Sequence, residues 1–291
     1  MEPIASSELI INADGSVFHL HLRPEQLADR IILVGDPERV EMVSSYFGAI
    51  ESRTASREFV SATGTYNGIR LTVLSHGIGT DNIDIVMTEL DALANIDFST
   101  RKIRREKKKL HIVRLGTSGA LQPDLQIGDF VLAETSIGFD GLLHFYAGHD
   151  AVADLSMEEA FVRHMDWNSK LATPYFVPSS RFMNYQFADF TIPGITISAP
   201  GFYGPQGRVV RLPLADPEIN AKLEAFQYED RRITNYEMES SALAGLAALL
   251  GHEATTICTI IAQRISGDSD PDYKPHVQRM VELALDKMTR F

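Results

Sequence analysis

Along the chain, short apolar runs rich in β-branched residues alternate with segments whose apolar positions recur every three or four residues. The first kind fits a pleated strand and the second fits one face of a helix. Residues 31–34, 71–74, 111–115, 130–133 and 255–262 read as strands, several of them running into a glycine. Helices are expected over 36–47, 81–95, 157–171, 216–227, 237–250 and 275–288. Strand and helix in alternation predict α/β layering around a mixed or parallel sheet. Neither an internal repeat nor a linker interrupts the pattern, which points to a single domain over residues 1–291.

Composition sharpens this picture. A chain of 291 residues can bury a large core, and 44% apolar with 23% charged residues makes an ordered globular protein the expectation. The opening residues lack a basic region followed by an apolar run, and the longest apolar stretch, 242–250, is too short for a bilayer, so a cytoplasmic protein without a membrane partner is expected. The single cysteine, Cys258, excludes an internal disulfide and a cysteine-rich metal cage, and reads as a small core hydrophobe.

Charge poses a sharper question. A formal net charge of -12 argues against nucleic-acid binding, which draws most of its affinity from clustered Lys and Arg. An anionic substrate must then be met by a few arginines converging locally against an acidic background. Residues 101–109 hold seven Lys or Arg and one Glu. Consecutive like charges repel and prefer water, so the stretch 97–110 is expected to be a solvated surface insertion rather than an anion site.

Four constellations carry potential chemistry. Val34-Gly35-Asp36-Pro37-Glu38-Arg39 reads as a strand end, a glycine turn, an Asp N-cap and a proline at the first helical position. Such a helix start presents free N–H groups to an anion, and Arg39 adds a positive charge. In Arg114-Leu115-Gly116-Thr117-Ser118-Gly119, an arginine interrupts an apolar strand just before a hydroxyl-rich glycine turn. A buried arginine needs either an anionic ligand or a buried carboxylate, and both readings stand at this point.

Ser75-His76-Gly77-Ile78-Gly79-Thr80-Asp81-Asn82 matches a dinucleotide fingerprint only at its first two glycines, so a Rossmann site is not expected, and no Walker-type lysine motif occurs. Asn235-Tyr236-Glu237-Met238-Glu239-Ser240 offers two carboxylates at i and i+2, predicted to point to different sides. One is then free for a ligand's hydroxyls while the other tends a helix N-terminus. His19-Leu20-His21 would place alternate side chains on one strand face, without the companions of a zinc site.

Taken together, these segments resemble the nucleoside phosphorylase-I family, most closely its uridine phosphorylase branch. The resemblance runs through Val17-Phe18-His19-Leu20, Gly35-Asp36-Pro37-Glu38-Arg39-Val40, Ser56-Arg57-Glu58-Phe59, Arg114-Leu115-Gly116-Thr117-Ser118-Gly119-Ala120, Asp140-Gly141, Phe202-Tyr203-Gly204-Pro205-Gln206-Gly207-Arg208 and Asn235-Tyr236-Glu237-Met238-Glu239-Ser240. Their order and spacing cover most of the chain. The fold so implied is a single-domain three-layer α/β/α arrangement with a central mixed, partly barrel-like sheet.

The resemblance also implies a phosphate pocket of Gly35, Arg39, Arg114 and Thr117, completed by Arg57 from a neighbouring subunit. Convergent guanidinium and N–H groups suit a dianion with several acceptors. Met238 and Glu239 would hold the ribose, with His19 of the neighbour near its 5′-hydroxyl. Phe202, Gln206, Arg208 and Arg264 would form the base site, a combination suited to uracil. The catalytic set is Arg39, Arg114, Thr117, Gln206 and Arg208, acting on uridine and inorganic phosphate without an organic cofactor. Shared sites imply at least a homodimer.

Bacterial members can hold K+ at a subunit interface through positions matching Glu58, Ile78 and Asn82, but the turn Thr80-Asp81-Asn82 departs from the usual Gly-Pro-Ser type. Gln263 also stands where relatives often have Asn. Purine-directed members place an Asp late in the chain to protonate the purine, where this chain carries Gln263 and Arg264. The alternatives are a purine nucleoside phosphorylase, a nucleosidase of the same fold that activates water, or a non-catalytic nucleoside-binding protein.

Overall fold

The computed structural model describes Glu2–Phe291. Its strands are β1 (Arg30–Val34), β2 (Ala49–Ser56), β3 (Phe59–Tyr66), β4 (Ile69–Ser75), β5 (Ile96–Asp97), β6 (Lys102–Ile103), β7 (His111–Ala120), β8 (Phe130–Gly138), β9 (Tyr175–Pro178), β10 (Ile192–Ser198), β11 (Gln227–Tyr228), β12 (Arg231–Glu237) and β13 (Glu253–Gln263). The helices are α1 (Pro37–Ser44), α2 (Thr80–Asn95), α3 (His149–Val152), α4 (Leu155–Met165), α5 (Arg181–Phe187), α6 (Ile219–Ala225), α7 (Ser240–Leu250) and α8 (Lys274–Met288).

All strands except β5 and β6 join one 11-stranded sheet. At its centre β1 lies between β4 and β7, parallel to both. On the far side of β7, β13 runs parallel to it, then pairs antiparallel with β8, and β8, β10 and β12 run parallel in turn. The end of β12 also pairs antiparallel with β7, Asn235 opposite Ala120 and Tyr236 opposite Gly119. Because β12 touches both β10 and β7, the strands β7, β13, β8, β10 and β12 close on themselves. The mixed, partly barrel-like sheet expected from the resemblance is therefore present.

Alternation along β1 sorts the layers. Ile31 and Leu33 pack with Ile83, Met87 and Leu90 of α2 and Leu243 and Leu246 of α7. Ile32 and Val34 face the other way, onto Val40 of α1, Met183 and Phe187 of α5, and Met280 and Val281 of α8. A third cluster fills the barrel side, where Phe161 of α4 and Leu223 of α6 meet Ile195, Ile197 and Ile233. Side chains of period two on both faces of a strand require helices on both faces, the reason for three layers.

The sequence pattern located α1 well: Asp36 accepts from Glu38 N–H and Pro37 opens the helix. The helix expected over 157–171 stops at Met165, where Asp166 takes a left-handed φ of 47°. The segment 116–119, read as a turn, continues β7, because Gly116, Thr117 and Ser118 pair with Cys258, Thr259 and Ile260 of β13. His19 and His21 lie in a turn rather than on a strand, His21 with φ 52°.

The basic segment 101–109 forms part of a two-stranded ribbon, Ile96 opposite Ile103, with every residue from Lys102 to Lys109 exposed. Arg101 instead turns inward and donates to the carbonyls of Ile4, Ala5 and Leu9. Of the remaining cations, Lys108 pairs with Asp29 and Lys109 with Glu253. Among the described residues, no helix is long and apolar enough to cross a membrane.

Candidate active site

The parallel strands β1, β4, β7 and β13 run in one direction, and their C-terminal ends open into a cleft of about 1090 Å³. Gly35 and Arg39 enter it from the β1–α1 junction, Arg114 and Thr117 from β7, and Met238 and Glu239 from the β12–α7 junction. Phe202, Gln206 and Arg208 come from the loop after β10, and Arg264 follows β13.

Arg114 is the most deeply committed of these. It is 4% exposed, its Nη1 lies 2.9 Å from Glu237 and its Nη2 contacts Glu239. Its Nε–H donates to His76 Nε2 at 3.2 Å, and Nη1 approaches Cys258 Sγ at 3.7 Å. Gly116 makes room for this guanidinium, since a Cβ there would stand 2.8 Å from Arg114 Nη1. Burial works against the charge, but Glu239 and Glu237 outweigh it and hold the group above the ordinary arginine range.

The carboxylates of Glu237 and Glu239 therefore converge on one arginine, contrary to the divergence read from their spacing. The chain leaves β12 after Glu237 and enters α7 at Ser240, so the strand period no longer applies between them. Glu237 does tend the helix start, accepting from the N–H groups of Glu239 and Ser240 and from the hydroxyls of Ser198 and Ser240. Glu239 accepts at 2.7 Å from the N–H of Gly79, the N-cap residue of α2. Burial, partly offset by Arg114, raises the Glu239 carboxyl above its usual range.

A second cationic pair sits across Tyr236. Arg208 lies over the Phe202 ring and donates to the Phe202 carbonyl at 2.6 Å and to the Gln206 side-chain oxygen. Burial, with the Arg264 charge second, pushes Arg208 down to about 10. Burial also lowers Arg264, whose Nη1 is enclosed without a hydrogen-bond partner. Tyr236 is raised by burial against the opposing pull of both arginines.

Sequence reasoning missed Asn220, Asp268 and Asp270, and did not show the contacts made by Gly207, Cys258 and Gln263. Gly207, with φ 65°, turns the loop so closely that a Cβ would meet Asn220 Oδ1 at 2.4 Å. Asn220 of α6 donates to the Gly207 carbonyl and accepts from the Tyr236 hydroxyl, tying loop to strand. Cys258 is buried as expected, but it faces Arg114 rather than apolar neighbours alone, and burial pushes its thiol up to about 12. Asp268 and Asp270 line the wall after Arg264. Gln263 donates to the carbonyls of Gln122 and Leu125, a structural task that accounts for its place.

Arg57, His19, Glu58 and Asn82 lie outside the lining of this cleft. Arg57 stands exposed at the β2–β3 turn with φ 55°. His19 Nδ1 lies 2.7 Å from Glu89 Oε1, and Glu89 also accepts from the N–H groups of His19 and Leu20. Glu58 and Asn82 do meet, the amide donating to the carboxylate at 3.2 Å, while Ile78 at the cleft edge is 70% exposed.

The profile of the phosphorylase superfamily matches residues 29–291. A uridine phosphorylase of Thermococcus kodakarensis is 28% identical over 276 residues, 92% of this chain and 85% of its own length. A DeoD-type purine nucleoside phosphorylase of Myxococcus xanthus is 28% identical over 276 residues, 92% of this chain and 95% of its own. The crystal structure of a Trypanosoma brucei nucleoside phosphorylase, described as showing uridine phosphorylase activity, superposes with a TM-score of 0.87 at 27% identity, covering 97% of this chain and 100% of that one.

Proposed function

The chain belongs to the phosphorylase superfamily, and on that premise we propose that it is a uridine phosphorylase, cleaving uridine with inorganic phosphate to uracil and ribose 1-phosphate. One observation carries the proposal: a single cleft joins Arg39, Arg114 and Gly35 to the stacked Phe202–Arg208 pair through the Tyr236–Glu239 segment. Phosphate is taken at the first group, the base at the second and the ribose hydroxyls by Glu239 and Met238 between them.

In the reaction, a phosphate oxygen bonds to the anomeric carbon as the bond to the base breaks, and the electron pair leaves with uracil. Negative charge then grows on the pyrimidine carbonyls. Arg208, Arg264 and Gln206 offer donors that strengthen as this charge develops. Opposite them, Arg39, Arg114, Thr117 and the Gly35 amide neutralise and aim the attacking dianion. No covalent enzyme intermediate is required.

The proposal includes a homo-oligomer, at least a dimer, in which the partner's Arg57 completes the phosphate pocket and the partner's His19 reaches the 5′-hydroxyl. Exposure of Arg57 outside its own cleft, and the fixing of His19 by Glu89, support this sharing. We include a monovalent cation held near Glu58, Ile78 and Asn82 as an interface ligand, together with a cytoplasmic location.

Assay of uridine, thymidine, inosine and adenosine with and without phosphate tests the reading. Phosphate-dependent release of uracil from uridine is expected. Preference for inosine or adenosine, which the 28% identical purine relative keeps in play, would overturn the pyrimidine assignment. Base release without phosphate would point to a nucleosidase, and uridine binding without turnover to a non-catalytic protein.

A further inference from the structure

His76 is fully buried at the end of β4, directly before the Gly77 turn, and does not line the cleft. It nevertheless touches the cleft's central cation. Arg114 has only donors, so the imidazole nitrogen that receives Nε–H at 3.2 Å must be unprotonated, and the ring's remaining proton sits on Nδ1. That Nδ1 is buried without a hydrogen-bond partner. The ring is kept in this neutral form by burial and by the charges of Arg114 and Arg39, with the Gly77 backbone acting weakly the other way.

The partners of Arg114 divide into two kinds. Glu237 and Glu239 carry negative charge, hold its outer nitrogens and repel any phosphate that approaches. His76 carries none, takes the inner N–H and leaves the guanidinium charge undiminished. A neutral acceptor fixes the plane of the arginine without competing with the anion it is to bind. Gly35, whose hypothetical Cβ would stand 3.8 Å from His76 Cε1, places the ring beside the amide of the β1–α1 junction as well.

Resting on the phosphorylase reading above, we propose that His76 is a positioning residue for phosphate: its unprotonated Nε2 holds Arg114 in the orientation that meets the dianion beside Arg39. A residue that merely fills space at this point would give no selective effect on phosphate.

Met and Gln have similar size and flexibility, but Gln offers a strong carbonyl acceptor near the position of Nε2 where the Met thioether offers only a weak one. His76→Met is therefore expected to raise the phosphate KM about ten- to a hundred-fold, with the uridine KM within about two-fold of wild type. His76→Gln is expected to recover most of the phosphate affinity. Calorimetry with inorganic phosphate alone should follow the same order, so the inference is tested even where turnover of uridine is absent. Equal phosphate affinity in both variants and wild type overturns it, as does an equal rise in both KM values. If His76→Met fails to fold, a His76→Gln protein with phosphate affinity reduced about ten-fold or more also overturns it. Absence of phosphate-dependent cleavage by the wild-type protein refutes the functional reading separately.

Discussion

Arg208 lies across the face of Phe202, its guanidinium carbon 3.8 Å from the ring centroid. The same arginine is tied to the Phe202 carbonyl, so ring and cation move as one unit. A stacked cation of this kind contributes about 0.5–2 kcal/mol of rigidity before any ligand arrives. Under the proposed function, base recognition draws on this pair rather than on either residue singly.

Truncating the cation should expose that dependence. Arg208→Ala removes a charge-assisted hydrogen bond worth about 1.5–3 kcal/mol and is expected to lower uridine kcat/KM about ten- to a hundred-and-fifty-fold. Steady-state kinetics at fixed phosphate check this, and unchanged values would remove Arg208 from the base site.

The two carboxylates on Arg114 should separate stability from turnover. Glu237 bonds the α7 start, Ser198 and Arg114 together, so Glu237→Ala is expected to cost about 3–5 kcal/mol in urea denaturation. Glu239→Ala leaves Glu237 on the arginine and one amide unpaired, a smaller loss of about 1–3 kcal/mol. Its effect on uridine kcat/KM should nevertheless be severe. The reverse order of stabilities would mean that Glu239, not Glu237, anchors the junction.

Arg57 stands away from its own cleft, which makes subunit sharing testable by mixing. Arg57→Ala is expected to weaken phosphate use, and Arg114→Ala to disable the cleft directly. Refolding the two variants together should restore part of the activity, because one site of each hybrid regains both arginines. Mixtures as inactive as the separate proteins would count against a shared site.

His76 predicts an acid-sensitive stability. Its folded-state pKa lies well below the usual 6.5, chiefly through burial. As pH falls below about 6.5, the unfolded chain takes up a proton that the folded chain refuses. Stability is therefore fully present above that pH and declines below it, by up to about 1.4 kcal/mol per unit, until the folded pKa is reached. His76→Gln removes this contribution. Its stability relative to wild type should improve by about 1 kcal/mol between pH 7.5 and 5.5 in chemical denaturation. A difference independent of pH would show that His76 titrates normally.

Much of the architecture was legible in the chain. Strands buried on both sides, such as β1 and β13, announce themselves by runs of β-branched and apolar residues, and α1 by its Asp36 cap and Pro37. β2 was not legible, because as the sheet edge it buries almost nothing and its sequence reads as polar. Arg39 and Arg114 were visible as isolated cations near glycine turns, whereas Arg208 and Arg264 were marked only by the family resemblance. Asn220 gave no signal at all, since its importance lies in two partners distant along the chain.

What the sequence determined by itself was the alternation of strand and helix, the local caps, and the set of cationic and hydroxyl groups available. Only the tertiary structure decided that β12 closes onto β7, that Glu237 and Glu239 share Arg114, and that buried His76 accepts from the same arginine. Periodicity and capping act over a few neighbouring residues. The balance of a buried charge depends on whichever distant groups the closed sheet brings within a few ångströms, and no local pattern encodes that.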